Sequence, residues 1–372
     1  MDYNAFCQLL PGASSTQLLT SIAYKRGGIP LAVLTCLIWM LPACLIMGAL
    51  TFIISHTELK SSTTRIFQFI QPMAIGFLLY AGISSYKQNV KNPITHIIMI
   101  IGMILLYYFI KTPWVLPLLI IFSGVATSFS KKRFPDQEEV KKKEIRWLNL
   151  ILFVLLFIMA GIMSEMARKQ NWHDRKLFNL FENNYRFGSI VFGGGDVLLP
   201  MMLDQYVARP NDIRVQKNNP GIIKIEKTDL LNGYGIVKAV PGPVFSFASF
   251  TGGMALTDEG ATKQIAGCIT GAISIFLPGI LLLFFFLPIW HNLQKYASIL
   301  RALEGIRAVT VGLIFAAAIY LFREMFSLNY STHGLISLAF ILCTFLLMNY
   351  TRISPPLIVS STLVLGYFIP FG

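Results

Sequence analysis

The sequence predicts an all-α polytopic membrane protein made of two homologous halves that contain interrupted helices. The chain is 55% hydrophobic and only 13% charged, whereas soluble domains carry about a quarter charged residues. Its mean hydropathy is +0.62. Apolar runs long enough to cross a bilayer recur along the chain. Proline and glycine interrupt some of these runs at positions that repeat between the two halves.

The composition also excludes several classes of function. The net charge of +13 does not indicate a nucleic-acid partner, because the basic residues lie in short connections between apolar runs and so orient a membrane protein. The five cysteines show no metal-ligand spacing, so neither a metal nor another cofactor is expected. The sequence contains no phosphate-binding loop and no nucleophile elbow, which argues against an enzyme.

We place the expected membrane segments where apolar runs approach the roughly 20 residues that a helix needs to cross a bilayer. The first half, residues 1–130, is expected to place a half-helix and four spans at 13–24, 29–54, 66–86, 94–110 and 113–129. Residues 131–146 contain seven Lys or Arg and form the expected linker, which the positive-inside rule places in the cytoplasm. The second half, residues 147–372, is expected to place its segments at 147–166, 177–191, 197–206, 265–287, 303–322, 335–349 and 357–369. With the broken helices, this makes about eleven or twelve membrane segments, and the polar residues 207–229 are expected to lie outside the membrane.

Residues 235–253 are the most informative stretch. Pro241 and Pro243 lack a backbone N–H and restrict the residues before them, so a helix that arrives from the N-terminal side has to end here. Proline suits the first turn of a helix, so a half-helix is predicted to begin after Pro243. Its free N–H groups and positive dipole end favour an anion. In lipid, such a break is tolerated only inside protein or beside water. The stretch therefore predicts an anion site at membrane depth.

The same motif occurs near the start of the chain. Residues 8–12 align with residues 238–242 at an offset of 230 residues, and Pro42 and Gly76 align with Pro278 and Gly312 at an offset of 236. Landmarks in the same order indicate a duplication, and paired interrupted helices are typical of a transporter's binding site. We therefore expect residues 7–86 and 237–322 to superpose. A further break is predicted at Gly193–Gly195, because successive glycines form helices poorly.

Ionisable side chains inside membrane segments are functional candidates by default. Lys238 could neutralise a bound anion, or extend to the membrane surface with its stem in lipid. Asp196 could accept protons, pair with Lys238, or cap the helix that follows it. Arg307 could join the site or pair with a neighbouring glutamate at the interface. Ser246 and Ser249 share one helix face and could donate to an oxyanion, although small residues at this spacing also serve helix packing.

These motifs resemble the chromate ion transporter family. The likeness is carried in the second half by residues 192–200, 228–231 and 238–252, and in the first half by residues 8–12, 17 and 24. The resemblance implies a protein of the bacterial inner membrane, with two homologous halves often described as antiparallel, that moves chromate outward. It places substrate-binding residues at the motifs: Gln8, Pro11, Gly12, Gln17, Gly193, Gly194, Gly195, Asp196, Lys238, Pro241, Gly242 and Pro243.

Three departures from the family pattern bear on this expectation. The family's first half carries a Phe-Gly-Gly break upstream of its Pro-Gly element, and that segment is expected to be missing here. Lys238 stands where glutamine is usual, and Ala13 stands where a second proline is usual. The alternatives are therefore transport of sulfate or another anion, or a truncated homologue without transport activity that serves as a membrane partner. Expected partners are a small oxyanion and membrane lipid, and a homodimer stays open.

Overall fold

The computed structural model describes residues 3–56, 66–109, 112, 114–129, 147–192, 194–219, 221–293, 297–328 and 332–368. Within these ranges the chain is helical and contains no β-strand. Among the described residues, four helices are long and apolar enough to cross a membrane: Ser14–Ser55, Leu148–Lys169, Ala261–Trp290 and Arg301–Met325. Shorter apolar helices accompany them. The predicted class, an all-α polytopic membrane protein, is confirmed.

The described residues of the first part of the chain contain the helices α1 (Tyr3–Leu9), α2 (Ser14–His56), α3 (Ile70–Asn89), α4 (Pro93–Tyr108) and α5 (Val115–Ser128). α2 contains both the expected half-helix and the first expected span. Non-helical backbone at Gly27 and Gly28 marks the junction between them, and the φ of Gly28 is +68°. Glycine adopts this left-handed conformation without a steric penalty, so the kink falls where the sequence permits it.

The second part begins with α6 (Leu148–Lys169) and α7 (Arg175–Ile190). A segment that we call the glycine-break segment follows, made of a 3₁₀ turn (Gly195–Val197), α8 (Leu198–Leu203) and a π-helical turn (Asp204–Ala208). The remaining helices are α9 (Ile213–Asn218), α10 (Lys227–Val237), α11 (Phe247–Met254), α12 (Ala261–Leu293), α13 (Ala297–Leu328), α14 (Thr332–Tyr350) and α15 (Pro355–Phe368). The described part of residues 207–229 thus contains the end of the π-helical turn, the short helix α9 and the first residues of α10.

The half-helix α11 lies in the interior of the protein, between α2 and α12, and all of its residues are buried. Gly252 of α11 and Gly267 of α12 bring the two backbones together, because a Cβ on either glycine would overlap the carbonyl oxygen of the other. Small residues allow helices in membranes to pack this closely. The close contact fixes α11, and with it the break that precedes α11.

The helices differ in how much of their apolar surface the protein covers. In α6, only 11% of the most apolar stretch is buried inside the protein. In the span Arg301–Met325 of α13, 67% of the corresponding stretch is buried. α13 packs against α3, α4 and α5 and so joins both parts of the chain. The exposed apolar side of α6 is suited to lipid, because lipid tails solvate such side chains as well as protein does.

The expected linker at 131–146 and Gly193 of the glycine break lie outside the described residues, as do residues 110, 113, 220 and 369 of other expected segments. The division into two homologous halves also stays a prediction. The order of elements agrees with it, since α1, a break, α2 and α3 parallel α10, a break, α11, α12 and α13. Superposition of residues 7–86 on residues 237–322, and an inverted relation between them, have still to be measured.

Candidate substrate site at three helix breaks

The helix breaks predicted from proline and glycine occur in the structure. α1 ends at Leu9 and α2 begins at Ser14. α7 ends at Ile190, and helical structure resumes in the 3₁₀ turn at Gly195. α10 ends at Val237, and a 3₁₀ turn that starts at Val244 leads into α11. The helix that was expected to begin after Pro243 is confirmed.

The three breaks contact one another although they are far apart in the sequence. The Gly12 N–H donates to the carbonyl oxygen of Val191 at 2.8 Å, which joins the first break to the second. A Cβ on Gly195 would lie 2.7 Å from the Val244 Cβ, so the second break lies against the third. The contacts gather the family motifs of both halves in one region of the protein.

Gly12 and Gly242 give the first and third breaks similar backbone geometry. Their φ angles are +117° and +138°, a region that side-chain-bearing residues avoid. The two glycines are equivalent at the 230-residue offset. A Cβ on Gly242 would also lie 2.6 Å from the Ala43 Cβ. Conformation and close packing therefore both require glycine at position 242.

Lys238, Asp196 and Tyr234 form a charged cluster between the second and third breaks. The Asp196 Oδ1 accepts a hydrogen bond from the Tyr234 hydroxyl at 2.7 Å and pairs with the Lys238 ammonium. The ammonium also lies 4.9 Å from the centre of the Tyr234 ring, within cation–π range. The Lys238 side chain is 12% exposed and that of Asp196 is 30% exposed. The expected Lys238–Asp196 pair is confirmed, and the Asp196 carboxylate does not cap α8.

The cluster is electrically balanced, which changes the expectation about Lys238. One ammonium faces one carboxylate, so the lysine presents less free positive charge than the sequence alone suggested. The carboxylate is the more exposed partner. An incoming oxyanion would therefore compete with Asp196 for the lysine rather than meet an unpaired cation.

The Ser246 hydroxyl lies at the start of α11 and is fully buried. Its oxygen has no hydrogen-bond partner among the described residues. Thr16, two residues into α2, is equivalent to Ser246 at the 230-residue offset, and its buried hydroxyl oxygen likewise lacks a partner. A buried polar group without a partner costs free energy, so two such groups at equivalent positions need an explanation. A ligand that accepts hydrogen bonds would supply one.

Ser249 is used differently from Ser246. Its hydroxyl donates to the carbonyl oxygen of Cys44 in α2 at 3.0 Å. A serine hydroxyl has one proton to donate, so the structure uses that proton to dock α11 on α2. Of the two serines, Ser246 has the free hydroxyl.

At the first break, the glutamines hold the backbone. The Gln17 amide donates to the carbonyl oxygens of Pro11 at 2.7 Å and Gly279 at 3.2 Å, which ties the break to α12. The Gln8 side chain is exposed, while its carbonyl oxygen accepts a hydrogen bond from Arg307. The glutamate expected to pair with Arg307, Glu304, accepts from Asn92 at 3.2 Å.

Sequence reasoning missed Tyr234 and Thr16. Tyr234 precedes Lys238 by four residues on α10, the spacing at which side chains on one helix meet, so the pattern could have indicated it. Thr16 could have been found by extending the 230-residue alignment four residues beyond Gly12. Which hydroxyls lack partners depends on contacts between distant segments, and no local pattern encodes that.

Comparisons with known proteins agree with the geometry. A sequence profile of the family described as Chromate transporter matches residues 1–128 and 178–367. An uncharacterized transporter of Methanocaldococcus jannaschii is 26% identical over 372 residues, which cover 98% of this chain and 83% of that protein. The chromate transport protein of Cupriavidus metallidurans is 22% identical over 363 residues, which cover 97% and 81% of the two chains. No solved structure matches the chain.

Proposed function

This chain belongs to the chromate transporter family, and from that premise we propose that it is a secondary transporter that exports a tetrahedral oxyanion, with chromate as the first candidate. It is a multi-pass membrane protein of a transporter family. We place it in the bacterial inner membrane, with the oxyanion and lipid as its partners and no enzymatic activity. A homodimer stays a prediction that light scattering in detergent would test.

The observation that carries this proposal is the site between the second and third breaks. The Lys238 ammonium lies there with Asp196, and the third break also carries the N-terminal end of α11 and the unpartnered Ser246 hydroxyl. Each of these favours an anion: the ammonium by charge, the helix end by its dipole, and the hydroxyl by donating a hydrogen bond. Their position at a helix break, with Asp196 on the neighbouring break, matches the way secondary transporters build substrate sites.

Asp196 gives the site a means of releasing its substrate. A dianion that approaches Lys238 displaces the Asp196 carboxylate, which keeps its hydrogen bond from Tyr234. When the anion leaves, the carboxylate returns to the ammonium, so the lysine is never left buried without a counter-charge. An unpaired buried charge is strongly destabilising. The exchange of one anionic partner for another therefore keeps binding reversible, as transport requires.

Two alternatives remain. Sulfate shares the shape and charge of chromate, and no group named in the site distinguishes a sulfur from a chromium atom at the centre of the oxyanion. The second alternative is a homologue that does not transport and acts as a membrane partner, which the departure at Ala13 favours.

Vesicle transport separates these possibilities. Inside-out membrane vesicles that contain the protein should accumulate labelled chromate, and vesicles without it should not. Excess sulfate should compete only if the site accepts both anions. Uptake of sulfate with exclusion of chromate would assign the other anion. Failure to move either anion, with the protein shown to be folded in the membrane, would contradict the transport proposal.

A further inference from the structure

A cavity lies beside the glycine-break segment. Residues of α4, α5, α7 and α13 line it together with the segment itself, and its volume is about 40 Å³. Most lining side chains are apolar, while Arg186, Asp204 and Gln205 supply polar groups. The cavity thus lies between helices from both parts of the chain, and one carboxyl side chain faces it.

Asp204 has an unusual environment for a carboxyl group. Its Oδ1 is buried and has no hydrogen-bond partner among the described residues. The neighbouring arginines are bound elsewhere: Arg186 donates to Glu182 at 2.9 Å and to Gln205 at 3.3 Å, and Arg209 also donates to Gln205. Asp204 begins a π-helical turn, a distortion that occurs often at functional sites.

Two opposing influences act on this carboxyl group. Burial without hydrogen bonds disfavours the carboxylate, since a charged group loses hydration and gains nothing in return. The positive charges of Arg186 and Arg209 favour the carboxylate. The carboxyl group therefore has one reason to bind a proton and another to release it. A carboxyl in a wholly apolar site would stay protonated, and one in a close ion pair would stay ionised.

The other charged and titratable groups around Asp204 are bound to partners other than its carboxyl group. Glu182 of α7 is paired with Arg186, and Tyr206 in the same π-helical turn donates to Asn184 at 3.3 Å. The described lining residues contributed by α4, α5 and α13 are not titratable. A small cavity of this polarity admits water, which can carry a proton to the carboxyl oxygen.

We propose that Asp204 is a proton-binding site that couples anion transport to a proton gradient, a proposal that rests on the transport function proposed above. One proton binds the carboxylate from one side of the membrane and leaves to the other, with no covalent bond to any other group made or broken. The glycine-break segment links Asp204 to Asp196, eight residues earlier and roughly 12 Å away along a helical path. Neutralising Asp204 changes the charge at one end of the segment whose other end holds the counter-ion of Lys238.

The test compares Asp204→Asn with the parent protein after purification and reconstitution into lipid vesicles. Asp258→Asn, which makes the same chemical change in an exposed turn, is the matched control. Accumulation of labelled chromate driven by an imposed pH gradient should fall by about tenfold or more in Asp204→Asn. Exchange of labelled for unlabelled chromate, which needs no gradient, should persist. Asp204→Glu should recover gradient-driven accumulation, because it restores a titratable carboxyl.

An infrared measurement makes the outcome independent of transport. Acidification should produce a protonated-carboxyl contribution in the difference spectrum of the reconstituted parent that Asp204→Asn lacks and the control keeps, while the bands of the other carboxyl groups are common to the three proteins. Undiminished gradient-driven accumulation by folded Asp204→Asn, or an unchanged infrared band, would overturn the proposal. A parent protein that exchanges no anion would contradict the transport function, while the infrared band would still decide whether Asp204 binds a proton.

Discussion

Replacement of Lys238 with glutamine tests the substrate site most directly. The change removes one positive charge and introduces the residue that is usual in the family at this position. It also leaves the Asp196 carboxylate with the Tyr234 hydroxyl but without its ammonium partner. An incoming dianion then loses an attractive charge and meets an uncompensated negative one. Both effects lower its affinity, so we expect the half-saturation concentration for chromate to rise.

The size of the effect follows from the partial burial of the pair. Two unit charges 4 Å apart near a protein surface interact by about 4 kcal/mol. Desolvation of the lysine and of the anion cancels much of this energy, and the pre-existing bond to Asp196 cancels more. A net loss of about 1–2 kcal/mol remains, which corresponds to roughly a tenfold rise in half-saturation concentration. Transport should survive, because the end of α11 and the Ser246 hydroxyl are still present.

The double variant Lys238→Gln with Asp196→Asn sharpens the test. It removes both members of the pair, so most of the lost affinity should return if the uncompensated carboxylate contributes. Non-additive effects of this kind are expected for residues in direct contact. Lys224→Gln is the matched control, because Lys224 is an exposed lysine that pairs with Glu226 outside the site. Uptake by vesicles at several chromate concentrations measures all four proteins. An unchanged half-saturation concentration in Lys238→Gln would remove the lysine from the site and leave only backbone and hydroxyl groups.

The remaining predictions concern the helix after the break. Ser246→Ala should raise the half-saturation concentration for chromate without lowering the thermal midpoint in detergent, because its hydroxyl has no partner to lose. Ser249→Ala should do the reverse: it loses a hydrogen bond to α2 and about 1 kcal/mol of stability, with uptake unchanged. Equal behaviour of the two variants in both assays would contradict this distinction. Gly267→Ala should lower the thermal midpoint, because its Cβ would overlap the Gly252 carbonyl oxygen and overpacking costs about 1–3 kcal/mol.

The helix breaks could be predicted because their cause is local. A Pro-Gly element or successive glycines disfavour helical backbone through their own chemistry, so the ends of α1, α7 and α10 agree with the sequence. A single proline does not suffice, since Pro42 lies inside α2 and Pro278 inside α12. The boundary inside α2 is local for the same reason, since Gly28 permits a φ that other residues avoid. Elsewhere the observed helix ends differ by a few residues from the predicted ends, because capping and packing decide where a helix stops.

The contents of the site were less predictable than its position. The Lys238–Asp196 pair could be proposed because two opposite charges in apolar surroundings have few other partners. Asp196 had an equally good local role as a helix cap, and only the fold shows that Lys238 and Tyr234 take its carboxylate instead. Asp204 gave no local signal beyond being an acid after an apolar helix. The cavity that Asp204 faces is lined by helices from both parts of the chain, and a local sequence pattern does not show which distant helices meet there.

The distribution of charge between the breaks explains how the first half can depart from the family pattern. At the second and third breaks, Lys238 and Asp196 come from the second half of the chain. At the first break, the cation is also from the second half, since Arg307 of α13 binds the carbonyl oxygen of Gln8. The first half contributes backbone groups, the Gln17 side chain that holds this backbone, and the Thr16 hydroxyl. None of these three contributions requires a second proline at position 13. We infer that the second half supplies the charged groups for both ends of the site, so the departure at Ala13 affects the shape of the site more than its charge.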